Sequence, residues 1–203
     1  MNKIILSIET STNICSVSLF KNQELLCLKE DSDRKHSALL GLFVDQIFKE
    51  VKVDISEIDA IALSMGPGSY TGLRIGLSFA KGMAFSLNKP IITVDTIDSL
   101  SYEIDAFDYM IAIHAYSNYF FFQKYKNNFR FEEPFFDKME NINYSNNIYG
   151  YGPNKSNFLI KKLIPSSIKI ANYAYKNYNK CKYDDIKLIK PNYIKSIEFD
   201  NKF

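Results

Sequence analysis

Hydrophobic positions along this chain follow two periods, and the changes of period mark its elements. Between Lys3 and Glu30, three runs, K-I-I-L-S-I-E, I-C-S-V-S-L-F and E-L-L-C-L-K-E, are separated by T-S-T-N and K-N-Q. They predict three strands of an antiparallel meander. From Arg34 to about Lys52 the spacing becomes helical: Leu40, Phe43, Val44, Ile47 and Val51 form one stripe, and Ser32 or Asp33 is placed to cap the first turn. Ala38 and Leu42 fall on the opposite side of that wheel, with Leu39 between the two faces. A buried strand at Ile61–Leu63, a break at Gly66-Pro67-Gly68 and a helix from Tyr70 to Leu87 capped by Ser69 come next. A strand at 90–94 and a short helix at 96–102 complete the order βββαβαβα.

The pattern then begins again at Asp108, with Y-M-I-A-I-H-A-Y, Y-F-F-F-Q-K-Y-K and F-R-F-E-E joined by turns at Ser117-Asn118 and Asn127-Asn128. Strand alternation assigns Tyr119, Phe120, Phe121 and Phe122 to a core face and a covered outer face rather than to base stacking. After a poorly patterned stretch around Y-G-Y-G-P, a helix is expected over 167–178, with Ile168, Ala171, Tyr175 and Tyr178 on one side. Two halves each led by three strands predict a duplicated α/β architecture. One domain would cover 1–104, and a second, shortened one 105–203.

The helix from Tyr70 to Leu87 is the least ordinary element. Gly72, Gly76, Ala80, Leu73, Ala84, Leu77 and Tyr70 fill half of its wheel, and Lys81, Arg74, Ser78 and Thr71 hold a narrow polar strip interrupted by Phe85. Gly72, Gly76, Ala80 and Ala84 recur every fourth residue, a side-chain-poor stripe along which another backbone can approach. Glycine disfavours helix by about 0.8–1.0 kcal/mol relative to alanine, so the stripe needs a packing reason. The helix is expected to be covered on two sides, by its own sheet and either by more of its own chain or by a partner.

Composition refines this reading in three ways. Lys and Arg number 10 against 12 Asp and Glu in residues 1–100, and 15 against 11 in 101–203. A basic second half invites nucleic acid, but that half is crowded with Lys, Asn, Ile, Tyr and Phe, whose codons are A+T-rich, and compositional bias is the simpler source of the excess. Cys15, Cys27 and Cys181 are odd in number and lack C-x-x-C spacing, so they read as small buried hydrophobes in a reducing compartment. The run Ile4–Ile8 is too short for a signal-peptide core, and no segment approaches a membrane span, so a cytoplasmic protein without membrane contact is expected.

Candidate chemistry is sparse. Glu9-Thr10-Ser11 places a carboxylate and two hydroxyls where a strand meets a loop, suitable for hydrated Mg²⁺ but equally an ordinary turn. The loop G-P-G-S-Y-T-G could offer backbone N–H groups to a phosphate, yet it lacks the G-K-[ST] ending of a P-loop. His36 and His114 are the only histidines, too far apart for an H-x-x-x-H pair, and a structural role is expected for both. Neither a metal nor a cofactor is expected.

On the residues I-E-T-S-T, K-H-S, S-M-G-P-G-S-Y-T-G-L-R-I-G-L-S-F-A-K-G-M-A-F and P-I-I-T-V-D-T-I-D-S-L, the chain resembles the TsaB (YeaZ) family over about its first hundred residues. The final P-N-Y-I-K is similar to that family's closing E-P-x-Y-L-R, with Lys190 in place of the acid. The resemblance implies an actin-like, Hsp70-like fold of two ribonuclease-H-like halves. It also implies a role in making N6-threonylcarbamoyladenosine in transfer RNA, as the non-catalytic partner of the catalytic TsaD subunit working with the TsaE ATPase. Where the family carries Asp-Ala-Arg, this chain has His114-Ala115-Tyr116, and Thr10 stands where nucleotide-binding relatives have glycine. Glu9, Thr10 and Ser11 would then be at most the remains of a nucleotide loop. The docking surface expected for a TsaD-like chain, or for a second copy when alone, comprises Ala38, Leu39, Leu42, Tyr70, Leu73, Arg74, Leu77 and Lys81. An active ATPase or sugar kinase of the same superfold is the alternative. A metallopeptidase fails on the histidine count.

Overall fold

The computed structural model describes residues 3–144, 147–153, 160–183 and 185–194. The opening meander forms as its alternation requires: β1 (Ile4–Glu9), β2 (Cys15–Lys21) and β3 (Glu24–Asp31) pair antiparallel in sequence. β4 (Ala60–Ser64) and β5 (Ile91–Val94) join parallel to β1 and to each other. α1 (His36–Val51), α2 (Tyr70–Leu87) and α3 (Thr96–Ser101) complete the first half. In the second half, β6 (Asp108–Tyr116), β7 (Tyr119–Lys126) and β8 (Phe129–Lys138) repeat the meander, and β9 (Asn147–Tyr151) and β10 (Ile160–Lys162) add parallel strands. The second sheet runs β10-β9-β6-β7-β8, the same order as β5-β4-β1-β2-β3 in the first. The duplicated architecture is therefore present in the strand order itself.

The first sheet buries both faces. Leu6, Ile8, Val17, Leu19, Ile61 and Leu63 meet Leu40, Phe43, Val44 and Ile47 of α1 and Leu77, Ala80 and Ala84 of α2 on one side. Ile5, Phe20, Ala60, Ala62, Ile92 and Val94 meet α4 (Ser167–Lys176) on the other. The expected stripe holds: Ala171, Tyr175 and Tyr178 are buried there with Ile170 and Ala174, and Ile168 is half-buried against the same core. Asn177 breaks the helix, and a short α5 (Tyr178–Cys181) and a two-residue β11 (Lys182–Tyr183) at the edge of β5 follow.

This return of the chain corrects the division at 104/105, because the segment after 166 packs on the first sheet instead of completing the second half. Hydrogen bonds pin it there: the Ser167 backbone N–H donates to Ser16 Oγ (2.9 Å), and Tyr175 O–H donates to the Lys3 carbonyl (2.7 Å). The second sheet is packed against α3 on one face, through Ile97, Leu100, Tyr109, Ile111, Ile113 and Tyr125, and carries Met139 and Ile142 on the other.

α1 starts later than its pattern suggests. The Asp33 backbone N–H donates to Asp31 Oδ1, Arg34 turns through φ +59°, and the cap position falls to Lys35, which makes no side-chain capping bond. These local bonds hold 31–35 in a turn, so neither Ser32 nor Asp33 caps the helix.

Candidate functional site

The glycine stripe of α2 faces inward. A Cβ on Gly72 would stand 2.1 Å from the Thr10 carbonyl oxygen, and one on Gly76 2.3 Å from Thr10 Oγ1. The backbone that the stripe admits is therefore the chain's own loop after β1. Thr10 O–H donates to the Gly72 carbonyl (2.9 Å), and the Ser69 backbone N–H donates to the Ser11 carbonyl (2.6 Å), so loop and helix start are stitched together. Ser69 caps as expected, accepting from the Gly72 N–H.

That packing corrects part of the expected docking surface. Leu73 and Leu77 are 1% and 8% exposed, because the inward tilt that serves the stripe carries them into the core as well. Tyr70, Arg74 and Lys81 flank the face but are engaged by the chain itself. Arg74 lies 3.9 Å over the Tyr70 ring and donates to Tyr193 Oη (3.2 Å), while Lys81 Nζ donates to the Ile189 carbonyl (2.9 Å). The segment 186–193 is thus a strap along α2, further held by the Asn192 N–H donating to the Met65 carbonyl. Its tail motif P-N-Y-I-K is recognisable by resemblance but has no periodicity, so its course along α2 escapes a sequence reading; Lys195 of that motif lies outside the described residues.

On α1, Ala38 and Leu42 are exposed, Leu42 by 47%, and Leu39 is half-buried against the core. α2 adds residues that were not expected: Ser78 and Gly82 are exposed, and Phe85 is 81% exposed. A Cβ on Gly82 would meet nothing within 4 Å, so that glycine has no packing reason inside the chain. Gly41 of α1 and Phe79 of α2 are adjacent, which sets the two outer faces side by side.

Glu9, Thr10 and Ser11 are fully buried beneath this loop. Burial pushes the Glu9 carboxyl up to about 7, against hydrogen bonds from Ser11 and Ser64 that favour its ionised form. No group of three or more His, Cys, Asp or Glu side chains among the described residues is placed to hold a metal. His36 Nε2 lies 2.9 Å from the Thr12 carbonyl, and His114 Nε2 lies 3.0 Å from the Ser117 carbonyl and packs edge-on to Phe120. Cys15 and Cys27 are buried free thiols, whereas Cys181 is only half-buried.

A cavity of about 650 Å³ lies between the halves, with Ser11–Asn13, Arg34, His36 and the start of α2 on one side, and His114–Tyr116, Phe121, Phe136 and Tyr151 on the other. Phe120 and Phe122 enter the core as the strand alternation implied, while Tyr119 and Phe121 are half-buried on the outer face, where Phe121 borders the cleft. The halves are also latched by Arg130 of β8, whose guanidinium pairs with Asp95 and Asp98 at the start of α3 (2.8 Å each). Asp95 caps α3 through the Ile97 and Asp98 N–H groups and accepts from Asn192 of the strap. Only its capping role is legible from sequence.

The family model described as TsaD, tRNA N6-adenosine threonylcarbamoyltransferase, matches residues 29–139. The tRNA threonylcarbamoyladenosine biosynthesis protein TsaB of Buchnera aphidicola subsp. Acyrthosiphon pisum is 33% identical over 132 residues, 63% of this chain and 60% of that protein. The Escherichia coli K12 protein of the same name is 34% identical over 97 residues, 48% of this chain and 42% of that one. The matched region thus spans about half the length of these curated relatives. Among solved structures, YeaZ from Pseudomonas aeruginosa superposes with a TM-score of 0.77 at 23% identity, covering 94% of this chain and 100% of that one, a likeness of fold. No helix among the described residues is long and apolar enough to cross a membrane. The two strand-led halves, the glycine-helix motif closed on its own loop and these matches together place the chain in the TsaB (YeaZ) family.

Proposed function

We propose that this chain is a non-catalytic dimerisation and scaffold subunit for the cytoplasmic synthesis of N6-threonylcarbamoyladenosine in transfer RNA. In this reading it docks a TsaD-like catalytic subunit, works with a TsaE-like ATPase, and pairs with a second copy when alone. The observation that carries the reading is the outer surface of α1 and α2, where Ala38, Leu42 and Phe85 lie exposed on adjacent helices and Gly82 leaves room for another backbone. Fully burying one leucine or phenylalanine there contributes about 1.5–3 kcal/mol. Leu73 and Leu77 drop out of the interface as core residues, while Tyr70, Arg74 and Lys81 border it. The names of the relatives supply the process.

Modification of transfer RNA in a mixture of the purified TsaD-like and TsaE-like subunits, with and without this chain, tests the reading. Dependence on the chain that survives His114→Ala fits a scaffold; complete loss with folded His114→Ala would reopen catalysis. The cleft keeps a second reading in view, an ATPase or sugar kinase. ATP turnover by the chain alone, abolished by Glu9→Ala, would replace the scaffold.

A further inference from the structure

The cleft between the halves has a chemistry that docking leaves unused. Its second-half wall is aromatic: Tyr116, Phe121 and Phe136 line it, Tyr119 packs behind them with ring centroids 5.1–5.9 Å apart across the cluster, and Tyr116 is 56% exposed. The facing wall is the first turn of α2, with Arg34 and His36 beside it. Among the described residues no carboxylate lines this cavity, in a chain with 23 of them, and Arg34 is the lysine or arginine that does. The 18-residue α2 turns its positive end toward the space.

His36 is a second, independent feature of the same wall. It is 6% exposed and forms part of the wall, and its Nε2 must carry the ring proton to reach the Thr12 carbonyl. Nδ1 is then a buried lone pair, and it has no partner among the described residues. Burial lowers the ring's pKa and keeps it neutral, so the site asks for a hydrogen-bond donor there.

One exposed ring backed by half-buried ones, a positive helix end and a buried acceptor suit one planar base with its phosphate. We propose that the cleft is a direct RNA contact that takes a single unpaired nucleotide without a metal ion. The base lies on Tyr116 and Phe136, the phosphate between Arg34 and the start of α2, and a base amine or ribose hydroxyl faces His36. This rests on the reading of the chain as a transfer-RNA modification subunit. Magnesium triphosphate is poorly served, because Glu9 is buried below the loop and Thr10 fills the space beside Gly72 and Gly76.

Fluorescence anisotropy of a labelled single-stranded oligoadenylate, titrated with the full chain in a chelator, tests the contact. Tyr116→Ala is expected to weaken binding at least about fivefold and Tyr116→Phe to restore it. Arg34→Gln should weaken binding and lower the salt slope by about 1, and Phe129→Ala, on an exposed ring elsewhere, should change nothing. Absent binding, or binding indifferent to Tyr116→Ala, overturns the proposal. AMP competing as strongly as the oligonucleotide makes the site one for a free nucleotide and overturns the RNA assignment, and tighter magnesium-ATP binding lost with Glu9→Ala does the same. Titrating the unsubstituted chain against the TsaD-like subunit as well separates the two readings: docking without RNA binding removes only the contact, while RNA binding without docking removes the scaffold.

Discussion

Gly72 and Gly82 are ten residues apart on one helix and have opposite reasons to be glycine. At Gly72 a methyl group would strike the Thr10 carbonyl, a backbone atom that cannot step aside, so Gly72→Ala should destabilise by about 1–3 kcal/mol and separate the loop after β1 from α2. At Gly82 the methyl meets open space, and Gly82→Ala should stabilise the isolated chain by about 0.5–1 kcal/mol, a rise of about 1–4 °C in Tm. Thermal melts of the two variants check both signs. The sequence shows that a glycine stripe needs a neighbour. It cannot show that the neighbour is the chain's own Thr10, because nothing in the spacing links residue 10 to residue 72. Glu9 gives a second prediction at this scale. Its folded pKa of about 7 exceeds its ordinary 4.5, so the native state binds more protons and stability falls as pH rises from about 4.5 to about 7. Glu9→Gln should remove that decline, worth about 3 kcal/mol above pH 7 by linkage. Urea denaturation of both proteins at pH 5 and pH 8 measures it, and equal pH dependence would mean that Glu9 is ionised without penalty.

Among the elements, periodicity identified the meanders, α1, the β4–α2 junction and α3 with boundaries close to those found, since each has an apolar stripe and recognisable turn chemistry. The strap along α2 was invisible. It is held by backbone carbonyls, by Tyr193 on Arg74 and by Asn192 between Met65 and Asp95, contacts that need no hydrophobic period. Tyr193→Ala should therefore release the end of the strap without unfolding α2. Limited proteolysis is expected to cut the variant faster within 186–194 while circular dichroism stays unchanged; equal cleavage of the two proteins would show that the backbone bonds alone hold the strap. β8 is longer than its pattern because its residues beyond Glu133 interrupt alternation with Pro134, and the shift in pairing between Phe122 and Lys124 moves the following residues to a new phase.

For the whole molecule, the duplicated strand order was legible, whereas the crossing of α4 back to the first sheet was not, because Ile170, Ala171, Ala174 and Tyr175 would fit either sheet equally well. What holds the halves is also non-local: Arg130 sits between Asp95 and Asp98, more than thirty residues earlier. Arg130→Met would leave two largely buried carboxylates without their cation, and a cost of about 2–4 kcal/mol is expected, below that of a fully buried pair because Arg130 is 37% exposed. Adding Asp98→Asn should recover part of it, with faster hydrogen exchange in β6–β8 of the single variant as the local signature. The central claim remains that the molecule's product is an interface on α1 and α2. Titrating Leu42→Asp against the TsaD-like subunit, with circular dichroism on the same samples, tests it most directly. The account predicts association weakened at least tenfold, about 1.4 kcal/mol, by a chain that remains folded. Unchanged affinity would make Leu42 ordinary surface and contradict the claim, and unfolding of the variant would place Leu42 in the core and contradict it equally.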